Sequence, residues 1–258
     1  MHGAVIYYLL VSSKNRVGSR LLCELEGQMT EIFASKKSIP LTRIQKLIGK
    51  RMLQSKTQKP CFYLQSRADV TELMTLRPRL RKSLGVRITT NAFYIKSLAL
   101  AAARYPLVLG FVEGDYVKIA DAVNVGFAVN APQGLVVPVI EQADTKPLAE
   151  IAALEKELTE LARDNKLTIE QMEGETIALS NLGAYDIDSF IAIVPPPAST
   201  IVAVGNVIPT VVPVEGKPMV RKMVSLSLAV DHRIINGAYA AKFLRCITDT
   251  LRNPQQLL

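Results

Sequence analysis

The run Asp231-His232-Arg233-Ile234-Ile235-Asn236-Gly237 carries one of only two histidines in 258 residues. The other, His2, stands at the terminus, where chains are usually loose. Imidazole exchanges protons near neutral pH without help from its surroundings, so chemistry of that kind falls to His232. Beside Asn-Gly, a lone histidine reads first as a turn residue. Its flanks supply a rigid mount. Upstream, Val224, Leu226, Leu228 and Val230 alternate with Ser225, Ser227 and Ala229, the period of a strand with one apolar face. Downstream, Ala240, Phe243, Leu244, Ile247 and Leu251 recur at helical spacing. His232 is therefore expected where a strand turns into a helix. Ser180-Asn181-Leu182-Gly183 also follows a strand-like run and, taken alone, is a turn.

The elements that must hold these residues follow from periodicity. Leu41 to Lys56 reads as a basic amphipathic helix with Ile44, Leu47, Ile48 and Met52 on one face. Phe62 to Val70 reads as a strand, and Val70 to Leu84 as a helix that Pro78 bends or ends. Asn91 to Arg104 is apolar nearly all round, a buried helix stopped by Tyr105-Pro106. Val123–Val129 and Leu135–Ile140 are expected as two strands around the turn Ala131-Pro132-Gln133-Gly134. Pro147 opens a helix with Ile151, Leu154, Leu158 and Leu161 inward and Glu155, Lys156, Glu160 and Arg163 toward water. Thr176–Leu179 and Thr200–Val204 complete the strands. Strands and helices mix from end to end without an internal repeat, so the class is α/β or α+β with one main domain. Residues 1–38, an apolar run at Ala4–Val11 followed by polar sequence, read as an appendage with a boundary near Ile39-Pro40.

Bulk composition removes several function classes. A 49% hydrophobic content fills a core, and 14 glycines and 14 prolines are ordinary usage. Cys23, Cys61 and Cys246 are far apart with no C-x-x-C pair, which argues against a thiolate metal site or a disulfide framework and fits a cytoplasm or an organelle matrix. Cys246 is expected as a small buried hydrophobe in the last helix. The net charge of +8 comes from basic residues spread along the chain apart from short groups such as Arg77 to Arg87. That favours an anionic small molecule or an acidic partner over nucleic acid. Ala4–Val11 is too short to span a bilayer. No P-loop, GxGxxG, HExxH or GxSxG pattern is present.

Six stretches, in order, go further: IPLTRIQKLIGKRM (39–52), FYLQSRADVTEL (62–73), VNVGFAVNAPQGLVVPVI (123–140), LARDNKLTIEQMEGETIALSNLG (161–183), FIAIVPPPASTIVAVG (190–205) and SLAVDHRIINGA (227–238). Over Ile39–Leu258 the chain resembles the catalytic domain of the dihydrolipoyl acyltransferases of 2-oxo acid dehydrogenase complexes. Their signature is DHRxx[D/N]G, with an H-x-x-x-D-G core shared with chloramphenicol acetyltransferase. The resemblance implies a chloramphenicol-acetyltransferase-like sandwich of a mixed sheet and helices, trimeric, with the site between subunits. It implies acyl transfer, of acetyl to judge by SNLG and FIAIVPPP, between the thiols of dihydrolipoamide and coenzyme A. His232 would be the base, Ser180 the oxyanion donor at a separation of 232 − 180 = 52, and Asn236 an orienting residue. Where relatives carry Asp at that last place, an arginine such as Arg43 can pair with it; Asn236 cannot.

The implied partners are two further copies of the chain, a core of 24 or 60 subunits docked through the ending Pro254-Gln255-Gln256-Leu257-Leu258, and the 2-oxo acid dehydrogenase and dihydrolipoyl dehydrogenase components, with neither nucleic acid nor membrane. Residues 1–38 hold no lipoyl D-K-A loop, so the lipoyl group is expected in trans or from further domains. Cys61 stands where many relatives have His, Pro195 where they have the Asn of N-P-P, and Leu109-Gly110 replaces an Asn-Ala-type pair. Two other readings stay open: a scaffold with weak catalysis, and a free-standing CoA acetyltransferase for a small acceptor.

Overall fold

The alternation that ends at Asp231 lies in a strand near one edge of a six-stranded mixed sheet. The computed structural model describes residues 38–84 and 87–258; Ala4–Val11, Cys23 and the rest of 1–37 lie outside the described residues. The described chain runs α1 (Arg43–Gln58), β1 (Cys61–Asp69), α2 (Thr71–Leu84), α3 (Thr90–Arg104), β2 (Gly110–Glu113), β3 (Tyr116–Ile119), β4 (Val125–Phe127), β5 (Val129–Ala131), β6 (Gly134–Val136), β7 (Val139–Ile140), α4 (Leu148–Arg163), β8 (Ile177–Asn181), β9 (Thr200–Val214), β10 (Lys217–Asp231) and α5 (Gly237–Arg252). Ile44–Leu258 forms one compact unit. Its main sheet has the order β1-β10-β9-β8-β4-β7, antiparallel from β1 to β9, parallel from β9 through β8 to β4, and antiparallel again at β7.

One sheet face meets the helices. Val224, Leu226, Leu228 and Val230 join Phe93, Leu98, Phe243 and Ile247 in the main core, as the period-2 and period-3.6 patterns predict. The other face is not left to water. Ala229 is buried too, because Val194 and its neighbours fold back over Ala178, Ile201 and Ala229 as a second apolar cluster, and the buried Ser227 accepts the Gln65 amide at 3.0 Å. α3 is buried along most of its length. Thr89 caps it by accepting the Ala92 N–H at 3.0 Å, and it stops before Pro106, as expected. Cys246 is half-buried against the core rather than inside it.

Four expectations need correction. Val123–Val129 and Leu135–Ile140 are not two continuous strands. Each divides, so that β4 and β7 stay in the main sheet while β5 and β6 pair as a separate ribbon. The Phe127 N–H donates to the Pro138 carbonyl and the Ala128 N–H to that of Leu179, which turns the chain between them. The strand read as Thr200–Val204 continues to Val214. Pro209 and Pro213 look like breakers, yet among the described residues β9 has only β10 beside it there, so their missing N–H groups fall on the side away from β10. Pro78 does not end α2; it lies on the exposed side of the helix. Glu155, read as facing water, is buried.

At the end of β1 a charged residue supports the turn into α2. Asp69 Oδ1 accepts the Thr71 N–H at 2.9 Å and the Thr71 hydroxyl at 2.6 Å, and Oδ2 takes Arg221 Nε at 2.6 Å. Partial burial raises the Asp69 pKa, but the Thr71 and Arg221 donors outweigh it and hold the carboxyl below the usual aspartate range. A folded pKa below the unfolded one gives stability that is present above the unfolded value, about 3.9, and is lost as pH falls through the lower folded value. Asp69→Asn is expected to cost about 1–3 kcal/mol in urea unfolding at pH 7, with the gap to wild type closing in acid.

Candidate active site

The turn that carries His232 is fixed on both sides of the histidine. The His232 N–H donates to the Pro60 carbonyl at 2.9 Å, tying the end of β10 to the residue before β1. Asp231, 1% exposed, accepts Arg233 Nε at 2.9 Å, Arg233 Nη2 at 2.6 Å and the Arg233 N–H at 3.1 Å. These bonds raise the Arg233 pKa still further. The Asp231 carbonyl receives the N–H groups of Ile234 and Ile235, and the Ile235 side chain is fully buried. Asn236 is the N-cap of α5: its Oδ1 accepts the Tyr239 N–H at 2.9 Å. The imidazole itself stands exposed, with the edge of the Phe62 ring 5.1 Å away between centroids. A rigid backbone thus presents a ring open to a substrate.

Ser180 is half-buried on β8, paired to Ala203 of β9. By alternation along the strand it shares its face with Ala178, away from the main core. The turn after it is tightly held. Asn181 Oδ1 accepts the Gly183 N–H at 2.9 Å, and the Leu182 N–H donates to the Val204 carbonyl at 3.1 Å. A Cβ on Gly183 would lie 2.6 Å from the Gly205 carbonyl oxygen, so that close approach requires glycine. Ser180 lines a cavity of about 470 Å³ together with Phe127, Asn130, Leu135, Glu155, Arg163 and Tyr185.

One chain does not bring His232 and Ser180 together. Ser180 is in register with Ala203, and Ala203 with Ser227, which is 232 − 227 = 5 residues before His232. Two strand spacings of about 4.8 Å and five residues at about 3.3 Å put the two positions roughly 19 Å apart. The cavity beside the histidine turn is a different one, lined by Arg51, Lys59, Pro196, Ser199, Asp231 and Arg233. Lys59 in its wall donates to the Ala198 carbonyl, and burial lowers its pKa.

Three features escape reading along the sequence. The Asp231–Arg233 clamp has the weak signal of opposite charges two residues apart. Arg77, Arg81, Lys82 and Arg87 line a single cavity of about 660 Å³ with Thr89 and Thr90, where only the four-residue spacing of Arg77 and Arg81 hints at a shared face. Glu155 carried a signal in its spacing, four residues after Ile151 and three before Leu158, against its charge. Among the described residues no His, Cys, Asp and Glu group is arranged to hold a metal ion.

The fold belongs to the chloramphenicol acetyltransferase class: such an enzyme superposes with a TM-score of 0.52 over 78% of this chain and 94% of that one, at 16% identity. The family model for the 2-oxoacid dehydrogenases acyltransferase catalytic domain matches residues 33–258, and the chain belongs to this family. Among its relatives is the mitochondrial dihydrolipoyllysine-residue acetyltransferase component of the pyruvate dehydrogenase complex of Schizosaccharomyces pombe, 34% identical over 86% of this chain and 47% of that protein. Another is the dihydrolipoyllysine-residue succinyltransferase component of the 2-oxoglutarate dehydrogenase complex of Haemophilus influenzae, 33% identical over 87% of this chain and 56% of that protein. The chain spans about half the length of the curated relatives it matches. A crystal structure of Azotobacter vinelandii dihydrolipoamide acetyltransferase, from work on the roles of a serine, a histidine and an asparagine in its catalytic mechanism, superposes with a TM-score of 0.82 at 32% identity over 86% of this chain and 93% of that one.

Proposed function

We propose that residues 39–258 are the acyltransferase domain of a 2-oxo acid dehydrogenase complex, moving an acetyl group between dihydrolipoyl and coenzyme A thiols, with residues 1–38 an appendage outside it. One observation carries the reading. The serine, histidine and asparagine studied in the Azotobacter enzyme are 52 and 4 residues apart, and Ser180, His232 and Asn236 have the same separations (232 − 180 = 52; 236 − 232 = 4). Exchange of one thioester for another is nearly thermoneutral and needs a base and an oxyanion donor. His232 takes the proton of the attacking thiol. The Ser180 hydroxyl donates to the oxyanion of the tetrahedral intermediate, a role worth about 3–4 kcal/mol of barrier. Asn236 acts from below: as the cap of α5 it sets where the helix begins and hence where the histidine turn ends.

A separation of roughly 19 Å within one chain forbids that partnership inside a protomer, so the site joins His232 of one copy to Ser180 of the next, as a closed trimer allows. α1 supports this. Leu47 and Leu53 are 59% and 65% exposed, large apolar side chains that a neighbouring copy would cover. Trimers would build the hollow core on which the dehydrogenase and dihydrolipoyl dehydrogenase components assemble, with the lipoyl group brought by other domains. Coenzyme A is a polyanion, and among the described residues the cavity of Arg77, Arg81, Lys82 and Arg87 has no acidic lining residue to compete for those cations. Among the described residues no helix is long and apolar enough to cross a membrane.

Family membership leaves the acyl group open, since acetyl and succinyl relatives match almost equally. Transfer to free dihydrolipoamide from acetyl-, succinyl- and isobutyryl-CoA tests the choice. Acetyl-CoA is expected to lead in kcat/KM by about tenfold or more, the discrimination that one to three kcal/mol of pocket fit supplies. Preference for succinyl-CoA would overturn the acetyl assignment, and no transfer by an assembled protein would turn the reading toward a scaffold.

A further inference from the structure

Glu155 gives up water on the wall of the cavity that holds Ser180, although a glutamate on a surface helix normally faces solvent. The reason lies in a set of hydrogen bonds whose directions can all be worked out. A backbone N–H only donates, so the Gly183 N–H fixes Asn181 Oδ1 as its acceptor at 2.9 Å. The Asn181 amide must then offer Nδ2 on its other side, where it meets Asn91 Oδ1 at 3.3 Å. Asn91 is oriented in turn and donates Nδ2 to Glu155 Oε1 at 3.5 Å, the loosest link. From the other side, Thr89 Oγ1 accepts the Ala92 N–H, and its single proton goes to Glu155 Oε2 at 2.8 Å. Every bond runs toward Glu155. Such a run has to end on a group with no proton to give, and an ionised carboxylate accepts at both oxygens.

We propose that Glu155 is a positioning residue for the serine side of the site, the acceptor that terminates this run and so fixes the Asn91 and Asn181 amides and the turn after Ser180. The inference rests on the acyltransferase reading for its kinetic consequence, though not for its structural one. Glu155 lies far enough along the run to touch neither Ser180 nor the Gly183 N–H. Its effect travels through two amides that have only two useful orientations each. Reversal of Asn181 removes the acceptor from the Gly183 N–H and frees the turn, and reversal of Asn91 sets its NH2 against that of Asn181 and drives the same change.

Glu155→Met tests this with little change of length. Both acceptors go, which leaves Asn91 Nδ2 and the Thr89 proton facing an apolar group and the Asn91 amide free to reverse. In the assembled full-length chain, kcat for acetyl transfer is expected to fall about tenfold with KM for acetyl-CoA nearly unchanged, since a small misplacement of a catalytic group is costly. Deuterium exchange over residues 178–186 is expected to quicken. The paired change N91D/E155M moves the acceptor-only group to position 91, where it takes the Asn181 amide directly and keeps Asn181 Oδ1 toward the Gly183 N–H. That double variant is expected to recover most of the rate and the exchange protection. Wild-type behaviour of E155M, or a double variant no better than E155M, would overturn the proposal. Exchange is measured without substrate, so a wild type inactive on thioesters would count against the acyltransferase reading and leave this one standing on its own measurement.

Discussion

Replacing His232 with alanine is expected to lower acetyl transfer to dihydrolipoamide by about 10²–10⁴-fold, the usual contribution of a positioned general base. A thiol has to lose its proton before or as it attacks, and no other described histidine exists to take it. The loss should appear in kcat, with KM for acetyl-CoA little altered, because an interaction made mainly in the transition state affects both kcat and kcat/KM alike. Stability should hardly change. The bonds that build the turn use the His232 backbone, the Asp231 carboxylate and the Arg233 guanidinium, and the imidazole gives up only an exposed edge contact with Phe62. A variant that unfolds like wild type and still turns over within about fivefold of it would remove the histidine from the mechanism altogether.

Much of this arrangement is written plainly in local patterns. The alternation from Val224 to Val230 and the helical repeat from Ala240 to Leu251 specify both walls of the histidine turn, because each buries one face against the same core. α3 is legible for the same reason. What escapes is set by contacts distant in sequence. Pro209 and Pro213 are forbidding only if a strand lies on both sides of β9, and nothing local says that one side is free. Ala229 looks solvated until Val194 packs against it. Glu155 stands on the buried stripe of α4 by period, four residues after Ile151 and three before Leu158, and only its charge argued for water. Its burial depends on Thr89 and Asn91, more than sixty residues earlier, supplying donors. The site divides along the same line: its chemical residues announce themselves by type and motif, whereas the side chains that hold them in place do not.

An equal mixture of H232A and S180A chains, dissociated and reassembled together, is expected to recover about a quarter of the wild-type activity that each variant lacks alone, the statistical share for heterologous sites in a closed ring. The argument is geometric. Ser180 and His232 are separated by two strands and five residues of one sheet, roughly 19 Å, so a loop movement of ordinary size cannot join them within a chain. If each site takes its histidine from one copy and its serine from the next, a site is intact when an S180A chain supplies the histidine and an H232A chain the serine. Each position is filled correctly half of the time, and the product is one quarter. S180A alone is expected to keep more activity than H232A, since one oxyanion donor is worth about 10²–10³ in kcat and the backbone of the β8 turn stays in place. A mixture no more active than its components, with exchange of chains demonstrated, would require the two residues to meet inside one protomer. The sheet would then have to come apart between β8 and β10, and the fall in activity on mutation would need a different cause.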